Sequence, residues 1–161
     1  MRWNPDVTVA AIVMRDGRFL VVEERIAGRL VVNQPAGHLE DGETLIEAVI
    51  REAREETAWR FLPQALVGTY LWRNPLSGRS FLRFAFCGDA DDHRPQQPLD
   101  KGIVRSLWLT QAELAAQPSR LRSPLVMRCI DDYLFGQRQP LDSVACLDLE
   151  SAPNVPSVVN L

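Results

Sequence analysis

The chain has 161 residues, 46% of them hydrophobic and 24% charged, with 18 Lys plus Arg against 21 Asp plus Glu for a net charge of −3. One ordinary globular domain accounts for that length and composition, which exclude a disordered, collagen-like or low-complexity chain. With no basic surplus, bulk attraction to a nucleic acid polymer or an anionic membrane is not expected.

The apolar run 7–14, broken only by Thr8, predicts a buried strand that ends at the turn pair Asp16-Gly17. Its expected hairpin partner is 19–24. Val31 and Val32 lead into Asn33-Gln34-Pro35-Ala36-Gly37, read as a loop. Helical periodicity covers 43–57. Strands are predicted at 65–72 and 81–87 around the turn-rich Asn74–Gly78 segment, and the polar stretch 88–101 reads as a surface loop. A short strand at 103–109 is followed by a helix capped by Thr110 that runs to Ala116. Ser123 and Pro124 read as the cap and first residue of a helix to Phe135, which Gly136 stops. Mixed strands and helices, with strands too close together for a wholly parallel sheet, predict an α+β chain, an α/β/α sandwich on a mixed sheet. Residues 1–140 form the single domain, and 141–161 are read as a draped or partly disordered tail.

Cys87, Cys129 and Cys146 form no C-x-x-C pair and each has apolar neighbours, so buried, inert thiols are expected. No apolar run reaches bilayer length and no signal-peptide pattern opens the chain, which makes a reducing cytoplasm the expected compartment.

Chemistry concentrates between Gly37 and Glu56. On the 43–57 helix, Leu45, Ile46, Val49, Ile50 and Ala53 form an apolar stripe. Glu52, Glu55 and Glu56 lie on its border and Glu47, Arg51 and Arg54 lie opposite. Three carboxylates at i, i+3 and i+4 repel one another by ~0.2–0.5 kcal/mol per pair. They also crowd the helix C-terminus, where the dipole disfavours anions. A bound divalent cation reverses both penalties, and an all-oxygen donor set selects Mg²⁺, with Mn²⁺ as the alternative. The Gly37 carbonyl is a further candidate ligand, and a glutamate beside the ion is a candidate base for an attacking water.

Gly37, five residues, Glu43, seven residues, then Arg51-Glu52-Ala53-Arg54-Glu55-Glu56-Thr57-Ala58-Trp59 resembles the Nudix box, G-x5-E-x7-R-E-U-x-E-E-x-G-U with U aliphatic. Ala58 and Trp59 depart from its last glycine and aliphatic residue. Val7-Thr8-Val9-Ala10, Phe19 to Glu24, Asn33 to Glu40, Phe81-Leu82-Arg83-Phe84 and Leu121 to Val126 extend the likeness to the NudJ-type phosphatase subgroup over most of 7–138. The resemblance implies the Nudix sandwich and Mg²⁺-dependent hydrolysis of diphosphate linkages in small metabolites: nucleoside di- and triphosphates, thiamine pyrophosphate or its hydroxymethylpyrimidine diphosphate precursor. It implies metal ligation by Gly37, Glu52, Glu55 and Glu56, with Glu52 as base, Arg51 orienting the glutamates, and Glu52, Arg51 and Glu55 as the catalytic group. Hydrolysis of ADP-ribose or oxidised nucleotides, and a non-catalytic nucleotide sensor, stay open as alternatives.

Other residues carry two readings each. Arg51 lies four residues after Glu47, which would make an ordinary helix ion pair. Glu43 suits the helix N-terminus, His38 a hydrogen-bonding loop, and Glu40 and Asp41 a solvated loop. Alternation puts Phe81, Arg83 and Ala85 on one strand face. Arg83 then needs either an internal carboxylate or a substrate phosphate. Trp72 suits either the core or stacking on a substrate ring. The resemblance to Nudix enzymes also implies a further acid from the loop before the strand carrying Trp108, for which Asp100 is the nearest candidate. Monomer and homodimer are both compatible with the sequence.

Overall fold

The computed structural model describes residues 2–147. In chain order it contains β1 (Asp6–Arg15), β2 (Arg18–Ile26), β3 (Arg29–Asn33), β4 (Ala36–His38), α1 (Leu45–Thr57), β5 (Arg60–Arg73), β6 (Ser80–Asp91), β7 (Ile103–Thr110), α2 (Gln111–Ala115) and α3 (Leu125–Leu134). A mixed sheet runs β4-β1-β6-β5, in which β1 and β6 are parallel and the other pairs antiparallel. A second, antiparallel group runs β3-β2-β7 and joins it through a short β1–β2 pairing at Met14 and Arg15.

Alternation along β1 and β6 divides the core by face. Val9, Ala11, Val13 and Phe86 pack with Leu45, Val49 and Ala53 of α1. Ala10, Ile12, Ala85 and Cys87 pack with Leu125, Cys129 and Ile130 of α3. Each face buries about a dozen apolar side chains, each worth ~1.5–3 kcal/mol in transfer. The mixed-sheet α/β/α expectation therefore holds.

Several boundaries differ. The stretch read as loop from residue 88 continues as strand to Asp91, because a Cβ at Gly88 would overlap the Leu62 carbonyl and only glycine lets the β5 backbone approach. Arg60 of β5 then pairs with Asp91 at 2.6 Å. β5 itself begins five residues before the predicted 65, and Pro63 is accommodated at a bulge. The 33–37 loop holds a three-residue strand from Ala36 that pairs with β1. α1 starts at Leu45, capped by Thr44 in a reciprocal capping box with Glu47. The α2 cap is Thr110 as expected, in the same arrangement with Glu113. Pro124, not Ser123, occupies the cap of α3, although the Ser123 hydroxyl accepts the Leu125 N–H at 3.2 Å. Ala58 takes the left-handed conformation of the glycine it replaces, with φ +61°. Trp59 stacks on His93 with ring centres 4.4 Å apart.

Cys87 and Cys129 are buried, but Cys146 is exposed, contrary to expectation: Leu141 and Val144 seat this last segment on the α1-side core, and Cys146 follows at the edge of an open surface pocket. The tail expectation otherwise falls on residues 148–161, outside the described ones. Among the described residues no helix is long and apolar enough to cross a membrane.

Candidate active site

β4 and the C-terminal half of α1 meet edge to side, and Arg51 joins them. Its guanidinium donates to both oxygens of Glu43 (2.7 and 2.9 Å), to Glu52 Oε1 (2.8 Å), to Glu55 Oε2 (3.2 Å) and to the His38 carbonyl on β4 (3.0 Å). The Glu47–Arg51 pair does not form, because the capping box engages Glu47. Glu43 is thus not chiefly a dipole partner. It is a bidentate anchor for Arg51, which holds its carboxyl below the usual range. His38 lies on a strand, and its backbone carbonyl serves the site.

Glu52 and Glu56 are buried, at 8% and 7% exposure, while Glu55 is half-exposed. Gly37 lies directly against the Glu52 carboxylate: a Cβ there would overlap both carboxylate oxygens. The Glu56 carboxylate accepts one backbone N–H, from Ala36 at 3.0 Å. Burial pushes its carboxyl up to about 9, against the lowering effect of that bond, and the charges of Glu52, Glu24 and Asp100 add to the rise. Burial likewise raises Glu52, against the pull of Arg51, with Glu55 and Asp100 adding. Asp100 therefore lies in the field of these carboxylates, and its N–H donates to the Glu55 carbonyl at 2.9 Å. Glu24, at the end of β2, joins the same negative cluster, and burial raises its carboxyl too.

A cleft of about 200 Å³ opens beside Gly37 on the α3 face. Trp72 and Arg83 both line it, as do Phe81, Thr8, Glu24, Asn33 and Arg122. Trp72 is half-buried and stacks on Phe81, with centroids 5.8 Å apart. Arg83 is 6% exposed, and in place of an internal carboxylate it meets the amides Gln34 Oε1 at 3.1 Å and Asn33 Oδ1 at 3.4 Å, with the Cys129 thiol also beside it. Glu24 and Arg122 face each other at 3.4 Å. Sequence reasoning passed over Thr8, Glu24, Asn33 and Arg122. The one available signal was Thr8 interrupting an apolar strand.

A site of this build, on this fold, defines a class. The NUDIX domain matches residues 4–128, and the chain belongs to the Nudix family of hydrolases, enzymes acting on phosphorus-containing compounds. In particular, it is 45% identical over 142 residues to Phosphatase NudJ of Escherichia coli K12, covering 88% of this chain and 92% of that protein. The Shigella flexneri Phosphatase NudJ shows the same identity and coverage. A NUDIX hydrolase from Nitrosomonas europaea superposes with TM-score 0.87 at 46% identity, over 89% of this chain and 97% of that one. A UDP-X diphosphatase, with TM-score 0.69 and 18% identity over 87% and 68% of the two chains, shares the fold.

Nudix hydrolases use divalent metals, and the donor set here fits one. Two buried carboxylates and a half-exposed third offer hard oxygens, and the close approach at Gly37 brings backbone to the same place. Among the described residues no three His, Cys, Asp or Glu groups already converge as a cage. Arg51 holds Glu52 and Glu55, and the Ala36 N–H holds Glu56. The like charges these groups leave uncompensated are what a cation would neutralise.

Proposed function

We propose that this chain hydrolyses the diphosphate linkage of small phosphorylated metabolites: nucleoside di- and triphosphates, thiamine pyrophosphate or hydroxymethylpyrimidine diphosphate. Mg²⁺ is the expected ion, with Mn²⁺ able to replace it, held by Glu52, Glu55, Glu56 and the Gly37 carbonyl, with Asp100 as a further acid nearby. A bound ion supplies charge neutralisation for the phosphate oxygens and a more acidic water. The observation that carries the reading is the Glu52 carboxylate, pressed against the Gly37 backbone and held through Oε1 by Arg51.

That hold leaves Glu52 Oε2 to take a proton from the water that attacks phosphorus. Arg51 fixes the carboxylate's orientation and ties it to β4, so that base and backbone keep one geometry. Glu55, on the same guanidinium, completes the catalytic group. Arg83 and Trp72 bind the substrate in the adjoining cleft. The enzyme acts in the cytoplasm as a monomer or homodimer.

Orthophosphate and pyrophosphate release, measured with Mg²⁺ and with chelator, tests this across thiamine pyrophosphate, nucleoside di- and triphosphates and ADP-ribose. Metal-dependent orthophosphate release from the first two classes is expected. Cleavage of ADP-ribose alone would replace the substrate assignment, and ligand binding without any turnover would favour a nucleotide sensor.

A further inference from the structure

Among the described residues, only two buried side-chain polar atoms lack a hydrogen-bond partner: Thr8 Oγ1 and Arg83 Nε. Both residues are more than nine-tenths buried, at 8% and 6% exposure. They are not scattered. Thr8 and Arg83 are direct cross-strand partners in the parallel β1–β6 pairing, and both line the cleft beside Gly37. An orphaned buried hydroxyl or guanidinium N–H costs free energy, so two that adjoin in one cleft mark a surface built for something else to complete.

We infer that Thr8 and Arg83 form a specificity floor that reads the hydrogen-bonding edge of a planar heteroaromatic group on the substrate, remote from its diphosphate. This deepens the proposed function and rests on it for the identity of the diphosphate end. The cleft crosses the sheet from β4 (Gly37) over β1 (Thr8) to β6 (Arg83) and β5 (Trp72). Strands ~4.8 Å apart place Arg83 roughly 10 Å from Gly37 along that path, beyond the phosphorus under attack. Asn33 and Gln34 each accept one N–H from an outer guanidinium nitrogen, and Nε is the guanidinium nitrogen left without a partner. The unpartnered Nε–H offers one contact to a ring acceptor. The Thr8 hydroxyl, able to donate or accept, supplies the second contact. The Trp72–Phe81 stack beside them offers the flat apolar wall that a ring requires.

Calorimetric binding with Mg²⁺ present tests this with two probes, the methylene-bridged analogue of cytidine diphosphate and methylenediphosphonate, which has no ring. The wild-type protein should bind the ring-bearing probe at least tenfold more tightly. Thr8→Val should lose roughly tenfold on that probe, change less than twofold on methylenediphosphonate, and melt at or above the wild-type temperature. Thr8→Ser should bind as wild type does, and Arg83→Lys, which keeps the charge but removes Nε, should share the Thr8→Val loss. Parallel weakening of both probes, or no weakening on the ring-bearing one, overturns the assignment. Failure of the hydrolytic reading looks different: no phosphate release from any substrate, with this binding pattern intact.

Discussion

Glu23 and Glu56 are both carboxylates almost withdrawn from water, at 4% and 7% exposure, yet they live in opposite electrostatic surroundings. Glu23, on β2, receives Arg105 from the facing strand β7 and Arg120 from the turn before α3, each at 2.7 Å. Those guanidinium hydrogen bonds hold its carboxyl below the usual range despite burial. Glu56 has one backbone N–H and three acidic neighbours, and sits at about 9. A buried carboxylate that serves the fold is compensated by the fold. One left uncompensated among like charges, beside the Glu52 carboxylate that lies against the Gly37 backbone, is the kind of group a cation would neutralise.

The sharpest break in this contrast is expected from Glu52→Gln, which removes a charge at nearly constant volume. Turnover should fall by about 10²–10⁴-fold while the circular dichroism spectrum stays that of wild type; activity within tenfold would remove Glu52 from the role of base. Glu23→Gln should do the reverse. Urea denaturation should show a loss of about 1–3 kcal/mol, with kcat unchanged.

Glu23 also sets a pH dependence. Its folded pKa lies below the unfolded value of ~4.3, so its stabilisation is complete above that value and lost as pH falls through the folded one. The urea midpoint of the wild-type protein should drop more steeply than that of Glu23→Gln as pH is taken from 5 to 3. Glu56→Gln, by contrast, should melt no lower than wild type in chelator, because the replaced group is the costly one. It should gain less from added Mg²⁺. The smallest shift concerns the end of the helix that carries the site. Ala58→Gly should raise thermal stability by about 0.5 kcal/mol, since glycine takes φ +61° without the Cβ penalty.

Local pattern made much of this site legible. The three glutamates, Gly37 and Arg51 lie within twenty residues of one another, where helical spacing and like-charge repulsion can be read directly. The partner of Arg51 was not legible, because Glu43 and Glu47 both lie within reach and the choice depends on which of them the helix cap engages. Thr8 and Arg83 are 75 positions apart and meet only through the β1–β6 pairing, which no periodicity reveals. Asp100 was reached through the family resemblance, which implies an acid before that strand, whereas Glu24 went unnoticed at the end of an apolar one. The boundary of β6 was missed for a related reason: polar residues 88–91 read as loop until a glycine-mediated approach pairs them with β5.

The central claim is that Glu56 and its neighbours are completed by a divalent ion whereas Glu23 is already complete. Calorimetric titration of Mn²⁺ into the wild-type protein, Glu56→Gln and Glu23→Gln tests it most directly. Wild type and Glu23→Gln should bind the ion alike, with affinity at least tenfold weaker in Glu56→Gln. Equal binding by all three proteins, or none by wild type, would contradict the account.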